Sequence, residues 1–443
     1  MVSTEPLERW LERQYRHSAL ALMRSISAVD IIKIRPGFGQ TVRPRKGSIV
    51  ASPVLGAYDP EPDYFFHWLR DSAIVIDALR LLTEDAHLGF DGLSHFADFV
   101  RFSLSLEGLA GRRLIDNPSW RERVAPEYRQ YVRSDEDLSA VHGEAVASET
   151  RVNPDGTLDI SKWPRPQNDG PFARALSVLR WRKSARLDED VRIAVDALLR
   201  SDLQFTLRHW RDACFDIWEE EKGCHYYTLR LAAAALDAGA GWFDQQGDRG
   251  DAATCRSDAA AILKILDGYW REDSQFYRSR LLESGVPSTK ELDIAVIFAA
   301  LHAAGDGKTH SVQDPRMHAT LAKLEALFDA EYPINHQRAR RAPAMGRYAG
   351  DVYYSGGAYY FSTLAAAEFC FRAALHSTHK STLTDQGDAF LETVHAFTPA
   401  SGELSEQFDQ RTGEQRSAQQ LAWSYAAFIS CVVARRQVIH GSP

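Results

Sequence analysis

Two distant segments of the chain place carboxylates beside aromatic side chains. Residues 215–221 set Glu219 and Glu220 directly after Trp218, and residues 405–409 contain Glu406. Two carboxyl groups in one pocket can perform acid and base chemistry on a glycosidic bond. A neighbouring aromatic ring can hold the apolar face of a sugar. The two segments together predict a sugar hydrolase if the fold brings them to one place.

Each segment also has a simpler interpretation. A run of three glutamates is often a solvated helix end, and Glu406 alone is an ordinary loop residue. Adjacent carboxylates and partial burial both disfavour the charged form, so a member of such a run can keep its proton at a higher pH. An acid catalyst needs that property, but the run by itself does not prove it.

Two arginines stand where they could bind sugar hydroxyls. Arg70 precedes Asp71 at the start of a predicted helix, and Arg347 lies among tyrosines in residues 345–357. A forked donor beside an acceptor matches neighbouring hydroxyls of a pyranose. An isolated pair of this kind is equally explained by a helix cap and a distant salt bridge. Within residues 163–171, Pro164 and Pro166 fix an extended path, from which Trp163 could stack on a second sugar or simply brace a rigid loop that leads into a helix.

The composition limits the partners of the chain. It has 443 residues, of which 44% are hydrophobic and 25% charged, as in soluble globular proteins. A net charge of -8 does not favour nucleic acid or an anionic membrane surface. No apolar stretch is long enough to span a bilayer. The N-terminus lacks a basic segment followed by an apolar run, so we expect a cytoplasmic protein.

The five cysteines show no spacing typical of a metal site. Cys214 and Cys224 flank the acidic segment, and we interpret them as buried free thiols, with a disulfide as the alternative.

Apolar residues recur at helical spacing along most of the chain. An amphipathic helix is predicted for residues 7–26, and others begin near Ser72 and Pro171. Further helices are predicted near 187–207, 224–239, 251–269, 289–303, 314–329 and 359–375. Ser417 and Gln420 form a candidate capping box for the last helix. Residues 48–52 and 351–354 are candidate strands. The pattern predicts an all-α protein of about a dozen helices with long functional loops, folded as one catalytic domain over residues 1–443 with no appended binding module.

Taken together and in this order, the motifs resemble the glucoamylase family, glycoside hydrolase family 15. The resemblance runs from residues 48–53 to 423–427 and covers most of the chain. Its blocks are residues 63–71, 165–171, 216–220, 346–348, 405–409 and 413–415.

The resemblance implies an (α/α)6 barrel with the pocket at one end. It implies an exo-acting, inverting hydrolase that releases β-D-glucose from non-reducing ends of soluble α-1,4 and also α-1,6 gluco-oligosaccharides, with no metal or organic cofactor. Glu219 would be the general acid and Glu406 the general base, with their carboxyl groups roughly 6.5–9.5 Å apart. The substrate-binding residues carried over are Tyr64, Trp68, Arg70, Asp71, Trp163, Trp218, Glu220, Arg347, Gln407 and Trp423.

Some features depart from the family's fungal members. Tyr359 stands where they carry Trp, and Pro164 where they carry Gly. With no starch-binding domain after residue 443, these differences favour soluble oligosaccharides over granular starch. The alternatives are an α-1,6-glucosidase acting on isomaltose or dextran, a trehalase, or a non-catalytic sugar-binding regulator. The only partner predicted is the small-molecule sugar, and the oligomeric state is not predicted.

Overall fold

A computed structural model describes residues 5–441 except 57–60, 86–88, 90, 185, 306 and 337–340. Within these residues the chain forms fifteen α-helices joined by loops with short strands. In chain order the helices are α1 (Leu7–Ser25), α2 (Leu69–Glu84), α3 (Gly92–Leu106), α4 (Arg112–Asp116), α5 (Ser119–Glu122), α6 (Asp135–Ser139), α7 (Asp169–Ser184), α8 (Glu189–His209), α9 (Tyr226–Gln246), α10 (Arg249–Asp267), α11 (Ala295–His302), α12 (Pro315–Glu331), α13 (Tyr360–Ala374), α14 (Lys380–Phe397) and α15 (Ala422–His440).

Six helices close an inner ring. Contacts join α2 to α7, α7 to α9, α9 to α11, α11 to α13, α13 to α15, and α15 back to α2. Helices α1, α3, α8, α10, α12 and α14 each pack against a member of this ring, and they alternate with it along the chain. The arrangement is the (α/α)6 barrel that the family resemblance implied.

The apolar residues of each helix decide its layer. In α13 almost every side chain is buried, including those on opposite faces of the helix. A helix that is apolar all round must be covered on all sides, which suits the inner ring. In α10 the buried residues follow a spacing of three and four, and they are Ala252, Cys255, Ala259, Ile262 and Leu266. One such stripe covers a single neighbour and leaves the other face in solvent, as an outer helix requires.

The strands are short and antiparallel, and they brace the loops. They are β1 (Lys33–Arg35), β2 (Gln40–Val42), β3 (His67–Trp68), β4 (Arg151–Val152), β5 (Cys214–Phe215), β6 (Lys222–His225), β7 (Trp270–Arg271), β8 (Phe276–Tyr277), β9 (Arg280–Leu282), β10 (Gln407–Phe408) and β11 (Gln415–Arg416). Strands β3 and β6 lead directly into the inner helices α2 and α9, so they fix where those helices begin.

Three local predictions are wrong. Residues 48–52 form no strand: their β-pairing is limited to an isolated bridge between Ile49 and Ile26, although their backbone also bonds to neighbouring loops. Residues 351–354 form no strand and lead into a turn at residues 354–356, in which Tyr354 adopts a positive φ of 53°. The proposed capping box does not start the last helix: α15 begins at Ala422, and Ser417 has a φ of 62° that no helix contains.

The five cysteines are free thiols, as the sequence indicated, with Cys224 half-buried and the other four buried. In the described part of the chain, no helix is both long and apolar enough to cross a membrane.

Candidate active site

The starts of the inner helices meet at one end of the barrel. Arg70, in the first turn of α2, lies 3.4 Å from Asp169, the first residue of α7. Phe361 in α13 stacks on Trp423 in α15, with ring centroids 4.6 Å apart. Trp218, ahead of α9, donates its indole N–H to Asp293, just before α11. Residues that are distant in the sequence therefore converge here.

A cavity of about 260 Å³ opens at this end of the barrel. Eleven of the twelve predicted site residues line it: Tyr64, Trp68, Arg70, Asp71, Trp163, Trp218, Glu219, Glu220, Arg347, Glu406 and Trp423. Both predicted catalytic carboxyls therefore face one cavity.

Gln407 is the predicted site residue that does not line the cavity. It is fully buried, and its amide donates hydrogen bonds to the carbonyl of Tyr353 and the hydroxyl of Tyr359. Its side-chain oxygen accepts from Ser355. Through its bonds to Tyr353 and Ser355, Gln407 holds the loop that carries Tyr353, a residue that lines the cavity.

A tight turn presents the acidic segment. The carboxylate of Asp216 accepts hydrogen bonds from the backbone N–H groups of Trp218, Glu220 and Glu221. Burial would raise the pKa of Asp216, but the adjacent Arg280 and these donors hold it below its ordinary value. The ionised Asp216 thus organises the turn, in which Glu219 adopts a positive φ of 64°. Such a conformation is strained for a residue with a side chain and is characteristic of functional sites.

Both oxygens of Glu219 are held by indole groups. Trp68 Nε1 donates to Oε1 at 2.9 Å, and Trp163 Nε1 donates to Oε2 at 2.6 Å. Burial raises the pKa of Glu219 against the opposing charge of Arg70. A carboxyl group that is buried, held in one orientation and raised in pKa has the properties of a proton donor.

The floor of the cavity combines one ion pair with an aromatic stack. The guanidinium of Arg70 lies 3.1 Å from a carboxylate oxygen of Asp71 and above the ring of Trp423. Trp423 in turn stacks against Phe361 and Trp218. Burial raises the pKa of Asp71, although Arg70 opposes the shift. The floor therefore offers a fixed donor and acceptor for hydroxyl groups and an apolar surface beside them.

Glu406 lines the same cavity from the loop before α15. Its Oε1 lies 3.5 Å from the hydroxyl of Tyr64, and its Oε2 accepts a hydrogen bond from Ser417. Burial raises the pKa of Glu406 to about 7, although Ser417 and the charge of Arg347 oppose the shift. A carboxylate with this proton affinity is a stronger base than one in water.

Glu220 and Arg347 form a second polar cluster on the wall. Glu220 accepts from Lys290 at 2.6 Å, from Arg347 at 3.1 Å and from the hydroxyl of Tyr348. Two N–H groups of Arg347 bind the two oxygens of Asp351, each at 2.6 Å. Glu220 is therefore a fixed acceptor whose charge is balanced by two cations.

Tyr359, which departs from the fungal pattern, is not among the residues that line the cavity. It is fully buried, and its hydroxyl donates to Asp351, the partner of Arg347. It therefore supports the cavity wall indirectly, through Asp351.

Several residues of the site were not predicted. Tyr353 and Phe361 line the cavity, and Ser417 contacts Glu406. Tyr353 and Phe361 belong to aromatic-rich stretches that look like ordinary core, and Ser417 looked like a helix cap. Asp216 is the first residue of the block 216–220 that carries the family resemblance. Its place just before the residues whose backbone N–H groups it binds was the one sequence signal that it organises a turn. Among the described residues, no group of three or more His, Cys, Asp or Glu is arranged to hold a metal ion.

A sequence profile for glycosyl hydrolases family 15 matches residues 33–95, 146–386 and 376–433, which is well over half of the chain. The chain belongs to glycosyl hydrolases family 15. It is accordingly a glycoside hydrolase, and the resemblance inferred from its motifs is confirmed.

Related proteins are similar over most of their length. A probable glucoamylase from Schizosaccharomyces pombe is 27% identical over 442 residues, which span 89% of this chain and 86% of the relative. A glucoamylase from Blastobotrys adeninivorans is 25% identical over 441 residues, covering 85% of this chain and 66% of the relative.

Solved structures share the fold. The glucoamylase from Saccharomycopsis fibuligera superimposes with a TM-score of 0.79 at 20% identity, over 100% of this chain and 98% of the other. The family 15 glucoamylase from Hypocrea jecorina gives a TM-score of 0.77 at 22% identity, over 98% of this chain and 73% of the other. At this identity the likeness establishes the (α/α)6 architecture.

Proposed function

We propose that this family 15 hydrolase releases β-D-glucose, with inversion, from the non-reducing ends of soluble α-1,4 gluco-oligosaccharides. One observation carries the proposal: Glu219 and Glu406 line the same small cavity. The relatives named glucoamylase support glucose as the product.

The acid step is assigned to Glu219. Its two indole partners orient the carboxyl group, and burial keeps it protonated to a higher pH than a free glutamate. Glu219 gives its proton to the leaving glycosidic oxygen as the bond between that oxygen and C1 breaks. Without this proton the departing group would be an alkoxide, which is a poor leaving group.

The base step is assigned to Glu406. The ionised carboxylate takes a proton from a water molecule while the oxygen of that water bonds to C1 from the opposite face of the ring. Tyr64, whose hydroxyl lies near Glu406, helps to place the water. Attack from the face opposite the leaving group converts an α-linkage into a β-sugar, and the balance is one water consumed for each glucose released.

We assign exo action because the cavity is small. Its volume of about 260 Å³ is below the roughly 300–1,000 Å³ typical of pockets for drug-sized ligands. Arg70 and Asp71, in the first turn of α2, and Trp423, in the first turn of α15, are among its lining residues. In the proposed mode these residues form the inner end of the site, so only a chain end enters.

A substrate panel that records the released anomer tests the proposal. Purified enzyme is given maltose, isomaltose and trehalose to rank the linkages, and we expect maltose to be the best of the three. The anomer is read by proton NMR with α-D-glucosyl fluoride, because its only sugar product is the glucose attacked at C1, and we expect β-glucose first. Initial α-glucose from the fluoride would contradict inversion, and faster release from isomaltose or trehalose would reassign the linkage.

The same preparation carrying Glu219→Gln controls for contaminating glucosidases. Release of no sugar from any α-glucoside, by a folded wild-type enzyme, would leave a non-catalytic sugar-binding role as the better account.

A further inference from the structure

A buried arginine lies against the two tryptophans that hold Glu219. The guanidinium carbon of Arg151 is 3.7 Å from the ring centroid of Trp163 and 4.8 Å from that of Trp68. Arg151 is 1% exposed and is not among the residues that line the cavity. A cation over the face of an indole is attracted by the ring, most strongly when water is excluded.

The indole groups of Trp68 and Trp163 donate hydrogen bonds to different oxygens of the Glu219 carboxyl group. Trp68 binds Oε1 of Glu219 and Trp163 binds Oε2, while the rings stand nearly perpendicular at 80°. Arg151 contacts the faces of both rings, so it fixes the direction of both N–H groups. The pairing of β3 with β4 sets Arg151 directly opposite Trp68.

Arg151 is itself anchored by a chain of buried ion pairs. Its Nε donates to Asp159 at 2.9 Å, and Asp159 also binds Arg165 at 3.2 Å. Arg165 pairs with Glu149, which pairs in turn with Arg133. Buried charges are costly to separate from their partners, so this chain keeps the loop and Arg151 in one place. Nothing in the proposed reaction uses these charges directly.

We propose that Arg151 is a positioning residue, which holds Glu219 in its proton-donating geometry through Trp68 and Trp163 without contacting the substrate. The inference rests on the proposed function, because it takes Glu219 as the general acid. The charge of Arg151 also acts at a distance and lowers the pKa of Glu219, opposing the effect of burial.

Two substitutions separate the charge from the stacking. Arg151→Met removes both, and Arg151→Lys keeps the charge but loses the planar contact. With maltose we expect Arg151→Met to lower kcat roughly tenfold or more, with a smaller change in KM, because two desolvated cation–ring contacts are lost. The alkaline limb of the pH profile should move to higher pH, since Glu219 keeps its proton longer without the nearby cation. The kcat of Arg151→Lys should fall between that of the wild type and that of Arg151→Met.

A substrate with an activated leaving group supplies the decisive comparison. α-D-Glucosyl fluoride needs little proton donation, so its hydrolysis by Arg151→Met should stay near the wild-type rate. An equal loss on maltose and on the fluoride would overturn the proposal, as would an unchanged alkaline limb.

Arg133→Met is the matched control. Arg133 is a buried arginine at the far end of the same ion-pair chain, and its hydrogen bonds go to Asp137, Glu149 and a backbone carbonyl. The Arg133→Met substitution should lower the stability of the fold without moving the alkaline limb of the pH profile. A shift equal to that of Arg151→Met would assign the effect to general loosening of the loop and would contradict the inference.

If Arg151→Met does not fold, Arg151→Lys is examined by NMR through the indole N–H signals of Trp68 and Trp163. Movement of both signals is expected, and unchanged signals would overturn the proposal. Failure of the proposed function is recognised separately: Glu219→Gln with wild-type turnover removes the general acid itself, whatever the Arg151 variants do.

Discussion

The hydroxyl of Ser417 donates a hydrogen bond to Oε2 of Glu406, the carboxyl group assigned as the general base. Ser417 reaches it from a left-handed backbone conformation between β11 and α15. Because a hydrogen bond to the ionised form favours that form, Ser417 opposes the effect of burial on the pKa of Glu406. A single loop residue thus influences the pH range over which the site is competent.

The first prediction concerns this pH range. Activity requires ionised Glu406, so kcat/KM should fall as the pH drops through about 7. In Ser417→Ala the lost hydrogen bond should move this acid limb upward by about one pH unit. The pH dependence of kcat/KM on maltose measures both. Ser405→Ala is the control, because the Ser405 hydroxyl binds the backbone of Gln407 and not the carboxylate. Equal shifts in the two variants would contradict the role of Ser417.

The second prediction concerns stability. The pKa of Glu406 is about 7 in the folded protein against an ordinary value of 4.5, so folding favours the protonated form. Below pH 4.5 the carboxyl is neutral in both states and costs nothing, and above pH 7 the cost of burying the charge is complete. Glu406→Gln should therefore raise the free energy of unfolding on the order of 3 kcal/mol at pH 8.

Thermal unfolding across this pH range measures the effect, and the advantage of Glu406→Gln should vanish near pH 4. Glu12→Gln, at an exposed position of α1, is the control substitution. A constant difference between wild type and Glu406→Gln at every pH would refute the assignment.

The third prediction separates the two carboxyls. Glu219→Gln should lower kcat on maltose about 10²- to 10⁴-fold with KM nearly unchanged, since proton donation is lost but the sugar contacts remain. Its activity on α-D-glucosyl fluoride should be largely retained. Glu406→Gln should lose activity on both substrates, because both need an activated water. Stopped-flow or steady-state release of glucose and fluoride measures these ratios. Identical patterns in the two variants would contradict two separate roles, and the reversed pattern would exchange them.

The fourth prediction tests whether Glu220 binds the second sugar of the substrate, next to the sugar that is released. Lys290 binds Glu220 at 2.6 Å and helps to fix it as an acceptor on the wall of the cavity. Lys290→Met should raise KM for maltose roughly three- to tenfold, the effect of a weakened charge-assisted hydrogen bond. Hydrolysis of α-D-glucosyl fluoride, which has no second sugar, should not change. Lys222→Met, which removes a surface pair with Glu283, is the control. An equal effect on both substrates would place Glu220 at the first sugar instead.

The site could be predicted from the sequence because its residues sit in short ordered motifs. Glu219 and Glu220 follow Trp218 directly, and Arg70 with Asp71 marks the start of an inner helix. Closure of the barrel could not be predicted in the same way, since the contact between α15 and α2 joins opposite ends of the chain. Helical periodicity describes the faces of one helix and not the partner that covers them.

The local errors have physical causes. Ser417 and Gln420 have the spacing of a capping box, but Ser417 binds a buried carboxylate instead. Helices α3 and α14 were not predicted. Helix α14 contains Gly387 and several hydroxyl residues that weaken its intrinsic preference, and packing against α13 stabilises it. Gln407 directly follows Glu406, the proposed general base. In a strand successive side chains point to opposite sides, so Gln407 turns away from the cavity that Glu406 lines.

The direction of the inner helices has a practical consequence. Helix α15 begins at Ala422, next to Trp423 at the cavity, and its 19 residues end at His440, which separates the two ends by roughly 28 Å. A carrier or solid support attached just after His440 would leave the protein from the face opposite the cavity mouth. An enzyme immobilised there should keep its entrance open to incoming chain ends.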